Sequence, residues 1–287
     1  MEFLSDLFSM DGVVLFVFCL LGFMSVVDTL NLSVRVAGVF TKRLAIALSL
    51  FNILMLFSRS SNLLQAPFVG SMVDGAIAAS PEGHAELIVE PKFRMLILAY
   101  TLGAMLGAFL TPTFQRVFEN VINDFDKRKS AFRAVLKIIN PLNALKFSPP
   151  GKRHFHAYHD WSSIPKQMLF WNLFVTTFYT IGVLSSLLAG AMHPEHRATC
   201  AMLSGLVNGI ATALLFGLVD PAAAIITDHC INGQRPQVDI KIMNFYLIWT
   251  KIIGTLLAQA FLVPMAKYVG WAAVMVQKLS ERWSVQF

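Results

Sequence analysis

Residues 167–192 read QMLFWNLFVTTFYTIGVLSSLLAGAM, and this stretch contains no Asp, Glu, Lys or Arg. At 1.5 Å of helical rise per residue, about 20 apolar residues cross a hydrocarbon core of about 30 Å. The stretch exceeds that length, so it reads as a membrane-spanning helix. Five further candidates surround it: Gly12–Val34, Leu44–Ala66, Arg94–Thr111, Ala198–Val219 and Ile242–Pro264. The expected fold is all-α, a polytopic membrane helical bundle of about six transmembrane helices forming one integral domain over residues 1–287. The tail from Lys267 to Phe287 either lies along the interface or completes a seventh, tilted segment.

Composition supports this. The 287 residues are 56% hydrophobic and 14% charged, against about 25% charged in soluble domains. That leaves too little polar surface to cover a water-soluble globule of this size. Cys19, Cys200 and Cys230 are far apart and show no paired or metal-ligand spacing, so free thiols are expected. Glu2, Asp6 and Asp11 precede the first apolar segment. A signal peptide begins with a basic region, so this segment reads as a span.

Lys and Arg concentrate in cytoplasmic connections. Arg35, Lys42 and Arg43 flank the first connection, whereas 71–93 holds Lys92 against Asp74, Glu82, Glu86 and Glu90. The 112–166 loop carries ten basic and four acidic residues, a net charge of +6. The basic connections alternate with the others, which predicts an outside N-terminus and a cytoplasmic 112–166 loop. Within it, Phe114, Val117, Phe118, Val121, Ile122 and Phe125, then Phe132, Val135, Leu136 and Ile139, recur at helical spacing. Lys127, Arg128, Lys129, Arg133 and Lys137 occupy much of the rest. This is a basic amphipathic helix, and two readings stand: a surface helix holding anionic membrane lipids, or a prolongation of span three packed on the protein. The positive charge is confined to connections between spans and does not point to nucleic acid.

Several spans carry polar groups. Asp28, Asn31 and Arg35 fall at i, i+3 and i+7 and share a helical face. Ser49, Asn52, Arg59 and Asn62 follow one stripe of the second span, with Gln65 near its end. A charge at bilayer depth costs at least about 2.5–3.5 kcal/mol by insertion scales, so such groups normally face a bundle interior or wet cavity. The simpler alternatives are an ion pair of Asp28 with Arg35 or Arg59, and arginines snorkelling to the interface; Arg35, close to a span end, fits the latter best. Asp220 precedes Pro221, which kinks or breaks the helix after Val219. Asp220 then either caps the following helix or forms part of a site at a broken helix. Lys251 and Gln259 lie near one face of the sixth span. Lys251 is either intramembrane or at headgroup level.

Two other motifs are less specific. His154, His156, His159 and Asp160 form a short string next to Trp161, but no zincin pattern or second carboxylate cluster accompanies it. An interfacial segment accounts for it better than a metal site, and no metal or cofactor is expected. Gly103-x-x-x-Gly107 and Gly205-x-x-x-Gly209 permit close helix approach, which usually means packing within one chain.

Residues 26–67, VVDTLNLSVRVAGVFTKRLAIALSLFNILMLFSRSSNLLQAP, resemble the Amj family of bacterial lipid II flippases. The resemblance is carried by DTLNLSVRVAGV, ALSLFN and SRSSNLLQAP. It implies a multi-pass protein of the bacterial plasma membrane that moves lipid II, the undecaprenyl-diphosphate-linked peptidoglycan precursor, from the inner to the outer leaflet. The residues suit that cargo. Arg59 and Arg35 offer charge-assisted hydrogen bonds to diphosphate oxygens. Asn31, Asn52, Asn62 and Gln65 offer amides to the head group. Asp28 and Asp220 are candidates for ion pairing or proton coupling. No P-loop is present, so ATP hydrolysis is not expected and the chain reads as a translocator, with no catalytic residue assigned. The alternatives are a transporter of another anionic lipid such as undecaprenyl phosphate or of a small solute, an intramembrane enzyme, and a cell-wall scaffold.

Overall fold

A computed structural model describes residues 11–80, 83–125 and 162–284. Regular structure among them is helical: α1 (Gly12–Thr41), α2 (Leu44–Ala79), α3 (Ala85–Asn123), α4 (Lys166–Met192), α5 (Arg197–Leu214), α6 (Asp220–Ile231) and α7 (Val238–Ser284). A short 3-10 turn, Pro194–His196, leads into α5, and a π-helical segment, Leu215–Val219, joins α5 to α6. From Pro194 to Ile231 these pieces form one span. Six helical stretches are long and apolar enough to cross a membrane, as the apolar runs predict.

The spans are longer than their apolar windows because the helices continue into polar ends. α7 runs for 47 residues through Pro264. The tail after Pro264 is therefore neither a separate interfacial piece nor a seventh span, but the continuation of the sixth as far as Ser284. At the other end of the bundle α3 carries on past its apolar window. Val117, Phe118, Val121 and Ile122 are buried against Leu30, Val34 and Ala37 of α1 and Leu50 and Leu54 of α2. The first half of the amphipathic stripe is thus the packed prolongation of span three. The rest of the stripe and the His154–Asp160 string lie outside the described residues.

The bundle has two halves. In the first, α1 packs against α3 and α2. Gly103 and Gly107 allow this approach: a Cβ at Gly103 would collide with the Gly22 carbonyl oxygen, and one at Gly107 would stand 2.7 Å from Thr29 Cβ. This glycine pair packs helices within the chain, whereas Gly205 and Gly209 have nothing within 4 Å of a built Cβ. In the second half α4 packs against α7 and α5. Asn172 Nδ2 donates to the Leu247 carbonyl at 3.1 Å and to Thr250 Oγ1 at 2.8 Å. Between the halves, Arg94 donates to the Gln259 carbonyl at 2.9 Å and Gln259 Nε2 donates to the Arg94 carbonyl at 2.8 Å. Arg197 and Asp74, 2.8 Å apart, tie α5 to α2. Lys92 reaches Asp11 at 2.8 Å and holds that carboxyl below its ordinary range.

Candidate functional site: a charged cavity at mid-depth

Where the two halves meet, a cavity of about 110 Å³ receives residues from all six spans. Its charged lining is Asp28 and Arg35 from α1, Asp220 from α6 and Lys251 from α7. At 1.5 Å per residue, Asp28 lies about 20 Å along α1 from Thr41, and Lys251 about 20 Å along α7 from Val238. Both groups therefore lie well inside their helices.

The charges make two sets. In the first, Arg35 Nη2 donates to Asp220 Oδ1 at 2.6 Å. The guanidinium carbon stands 4.7 Å from the Phe51 ring centroid, a cation–π distance. Arg35 is 7% exposed, and its Nε has no partner among the described residues. It is therefore a buried cavity group and not the interfacial anchor its position near a span end suggested. Asp220 is the other surprise. Its backbone is helical, with φ −63° and ψ −41°, and α6 has no side-chain cap at this end. Asp220 turns its carboxylate to Arg35 and caps nothing. Pro221 has no N–H for the preceding turn, and its ring crowds the carbonyl four residues back. The ladder widens there into the π segment, a common device at functional positions.

In the second set, Tyr100 Oη donates to Asp28 Oδ2 at 2.8 Å. Asp28 is thus tied to α3, while Arg35, one of the two arginines considered as its partner, pairs with Asp220 instead. Lys251 is intramembrane and 8% exposed. Its Nζ makes a long 3.5 Å contact with the Ser25 carbonyl and stands 5.8 Å from the Tyr100 ring. No carboxylate lies within 4 Å of Lys251 among the described residues.

Of the residues singled out in the sequence, the cavity brings together Asp28, Arg35, Asp220 and Lys251. Asn31 is buried, but its Nδ2 donates to the Phe51 carbonyl at 3.3 Å, so it ties α1 to α2. Gln65 is buried and lines a pocket of about 10 Å³, room for about one water. That pocket shares Tyr100, Tyr179 and Thr180 with the main cavity. Asn52 and Ser49 are exposed. The apolar Ala47, Leu50 and Leu54 claim the inner face of α2, so the residues of α2 that reach the cavity are Phe51, Met55 and Ser58. The side chains of Arg59 and Asn62 lie outside the described residues. Sequence reasoning did not place Lys251 or Tyr100 in the site. A lone lysine within an apolar run was the available signal for the first; nothing in the sequence separates Tyr100 from an ordinary interior aromatic. Among the described residues no group of three or more His, Cys, Asp or Glu is placed to hold a metal ion.

A family described as "Amj: Alternate to MurJ" matches residues 20–273, nearly the whole bundle. The chain belongs to the Amj family. Lipid II flippase Amj of Bacillus subtilis is 37% identical over 265 residues, covering 90% of this chain and 96% of the relative. No solved structure matches. The match spans every element of this Amj protein that lines the cavity, so the charged centre lies inside the family's own region. It is a multi-pass membrane protein.

Proposed function

We propose that this chain is a lipid II flippase, a translocator and not an enzyme, and that the mid-depth cavity handles the anionic part of the cargo. The observation that carries this reading is the near full-length match to a relative named as a lipid II flippase. The cavity adds a physical means. A diphosphate entering low-dielectric surroundings needs cationic donors, and Arg35 with Lys251 supplies two of them. A guanidinium can hold two oxygens at once, and Arg35 has Nε uncommitted. In the structure Asp220 pairs with Arg35. When diphosphate oxygens replace that carboxylate, the latch between α1 and α6 opens beside the π segment. Lipid II translocation then moves α5 and α6 against the rest.

The direct test is reconstitution in liposomes with fluorescent lipid II, followed by quenching of the label in the outer leaflet. The expected result is protein-dependent equilibration across the bilayer. Preferential movement of undecaprenyl phosphate would overturn the choice of a diphosphate cargo and favour the monophosphate alternative.

The orientation is part of the proposal. Lys42, Arg43, Arg235, Lys241 and the ten Lys and Arg of the 112–166 connection belong to one end of the spans, against Lys92, Arg94, Arg197, Lys267, Lys278 and Arg282 at the other. By the positive-inside rule the first end is cytoplasmic and the N-terminus is outside. In a chain otherwise lacking cysteine, His84→Cys is expected to react with a membrane-impermeant maleimide in intact cells. Gln234→Cys is expected to react only after permeabilisation. The reverse pattern would invert the topology.

A further inference from the structure

A second concavity lies apart from the charged cavity. It is a lateral groove of about 360 Å³ between α3 and α7, within the size range of ligand sites. Its walls are apolar: Met105 and Phe109 on α3, and Phe245, Ile248 and Trp249 on α7. At its basic end the chemistry changes. Lys241 reaches the groove half-buried, with its Nζ over the Phe40 ring at 4.4 Å and no carboxylate within 4 Å among the described residues. One turn deeper, Asn244 is only 5% exposed, and its Oδ1 has no partner among the described residues. A buried amide oxygen left without a donor is costly, and this one lines the groove. The groove floor is Val36, the residue after Arg35. Groove and cavity therefore lie against the same two helices, α1 and α7.

We propose that this groove seats the polyprenyl chain of the transported lipid in the inner leaflet, with a phosphate at Lys241 and a head-group hydroxyl donating to Asn244. The proposal rests on the lipid II reading above. A branched hydrocarbon chain matches the aromatic and aliphatic walls, which gain dispersion contacts that straight lipid tails fill less well. A single anionic head matches a single cation beside an unsatisfied acceptor. The cargo would load here with its head at the cytoplasmic surface before the head enters the cavity.

The test uses the full-length protein in nanodiscs and a polyprenyl diphosphate carrying a diazirine in its chain. Crosslinks are expected on α3 and α7, at Met105, Phe109, Phe245 or Trp249. Lys241→Glu, which reverses the charge, is expected to lower crosslinking by about tenfold, the value of one charged contact, and Thr111→Trp, which fills the groove from its rim, is expected to lower it by excluding the chain. Lys241→Glu leaves the helix packing intact should Thr111→Trp disturb it. Crosslinks spread over other helices, or equal displacement of the probe by phosphatidylglycerol, would overturn the proposal. Lipid II translocation is measured on the same preparation. Groove crosslinks without translocation would remove the transport reading and leave a polyprenyl site. Translocation with crosslinks elsewhere would do the opposite.

Discussion

Arg35→Ala is expected to lower lipid II translocation by about 100-fold, because a hydrogen bond to a charged group is worth about 1.5–3 kcal/mol and each 1.4 kcal/mol is tenfold. It also leaves the Asp220 carboxylate without the guanidinium now 2.6 Å away. Breaking a buried pair by removing one partner costs about 3–5 kcal/mol. The lower end applies here, since the Asp220 side chain keeps 23% exposure. Thermal unfolding in detergent would read this loss. The double variant Arg35→Ala, Asp220→Asn separates the two effects: removing the orphan charge restores stability and leaves translocation lost. If translocation returned with stability, Arg35 would be a packing residue only. Asp220→Asn alone frees the guanidinium and is expected to strengthen binding of a polyprenyl diphosphate.

Lys251→Met is expected to separate stability from transport in the opposite sense. Methionine keeps most of the volume of the side chain. The ammonium it removes has only a 3.5 Å contact to a carbonyl and no carboxylate within 4 Å among the described residues. Replacing a poorly compensated buried charge by an apolar group is commonly neutral or stabilising. The unfolding temperature should stay level or rise, while translocation falls by about tenfold, the value of one charged contact. Unchanged translocation in correctly inserted protein would remove Lys251 from the path. A fall in stability would show that the ammonium holds α1 and α7 together through Ser25.

How far the sequence foretold these features depends on whether local or long-range physics sets them. The six spans were legible because Gln167–Met192 and its counterparts are charge-free or nearly so, and transfer into lipid acts on each run by itself. Their ends were not. α3 and α7 extend well past the apolar windows as helices supported by tertiary packing and solvated polar faces. The charged positions Asp28, Arg35 and Asp220 stood out for the same local reason. Their partners did not. Arg35 and Asp220 are 185 residues apart, and only the packing of α1 against α6 decides that this pair forms in preference to Asp28 with Arg35. The α2 face shows a related limit. Helical periodicity relates Ser49 to Asn52, but which side turns inward depends on Ala47, Leu50 and Leu54 finding α1 and α3. Pro221 was readable as a break. That the break would take the form of a π segment presenting an acid to another span was not.

The make-up of the cavity bears on how a transport cycle feels the membrane potential. At their formal charges Asp28 and Asp220 offset Arg35 and Lys251, so rearranging these four groups carries no net charge through the field. A loaded diphosphate does. With the cytoplasm negative by 100 mV, each negative charge carried outward across the whole field gains about 2.3 kcal/mol. With the proposed diphosphate cargo in this cavity, the loaded step is electrogenic and driven outward, whereas these four groups return without opposing the voltage. On that reading, the balanced charges that make the site tolerable in lipid also rectify the direction of flow.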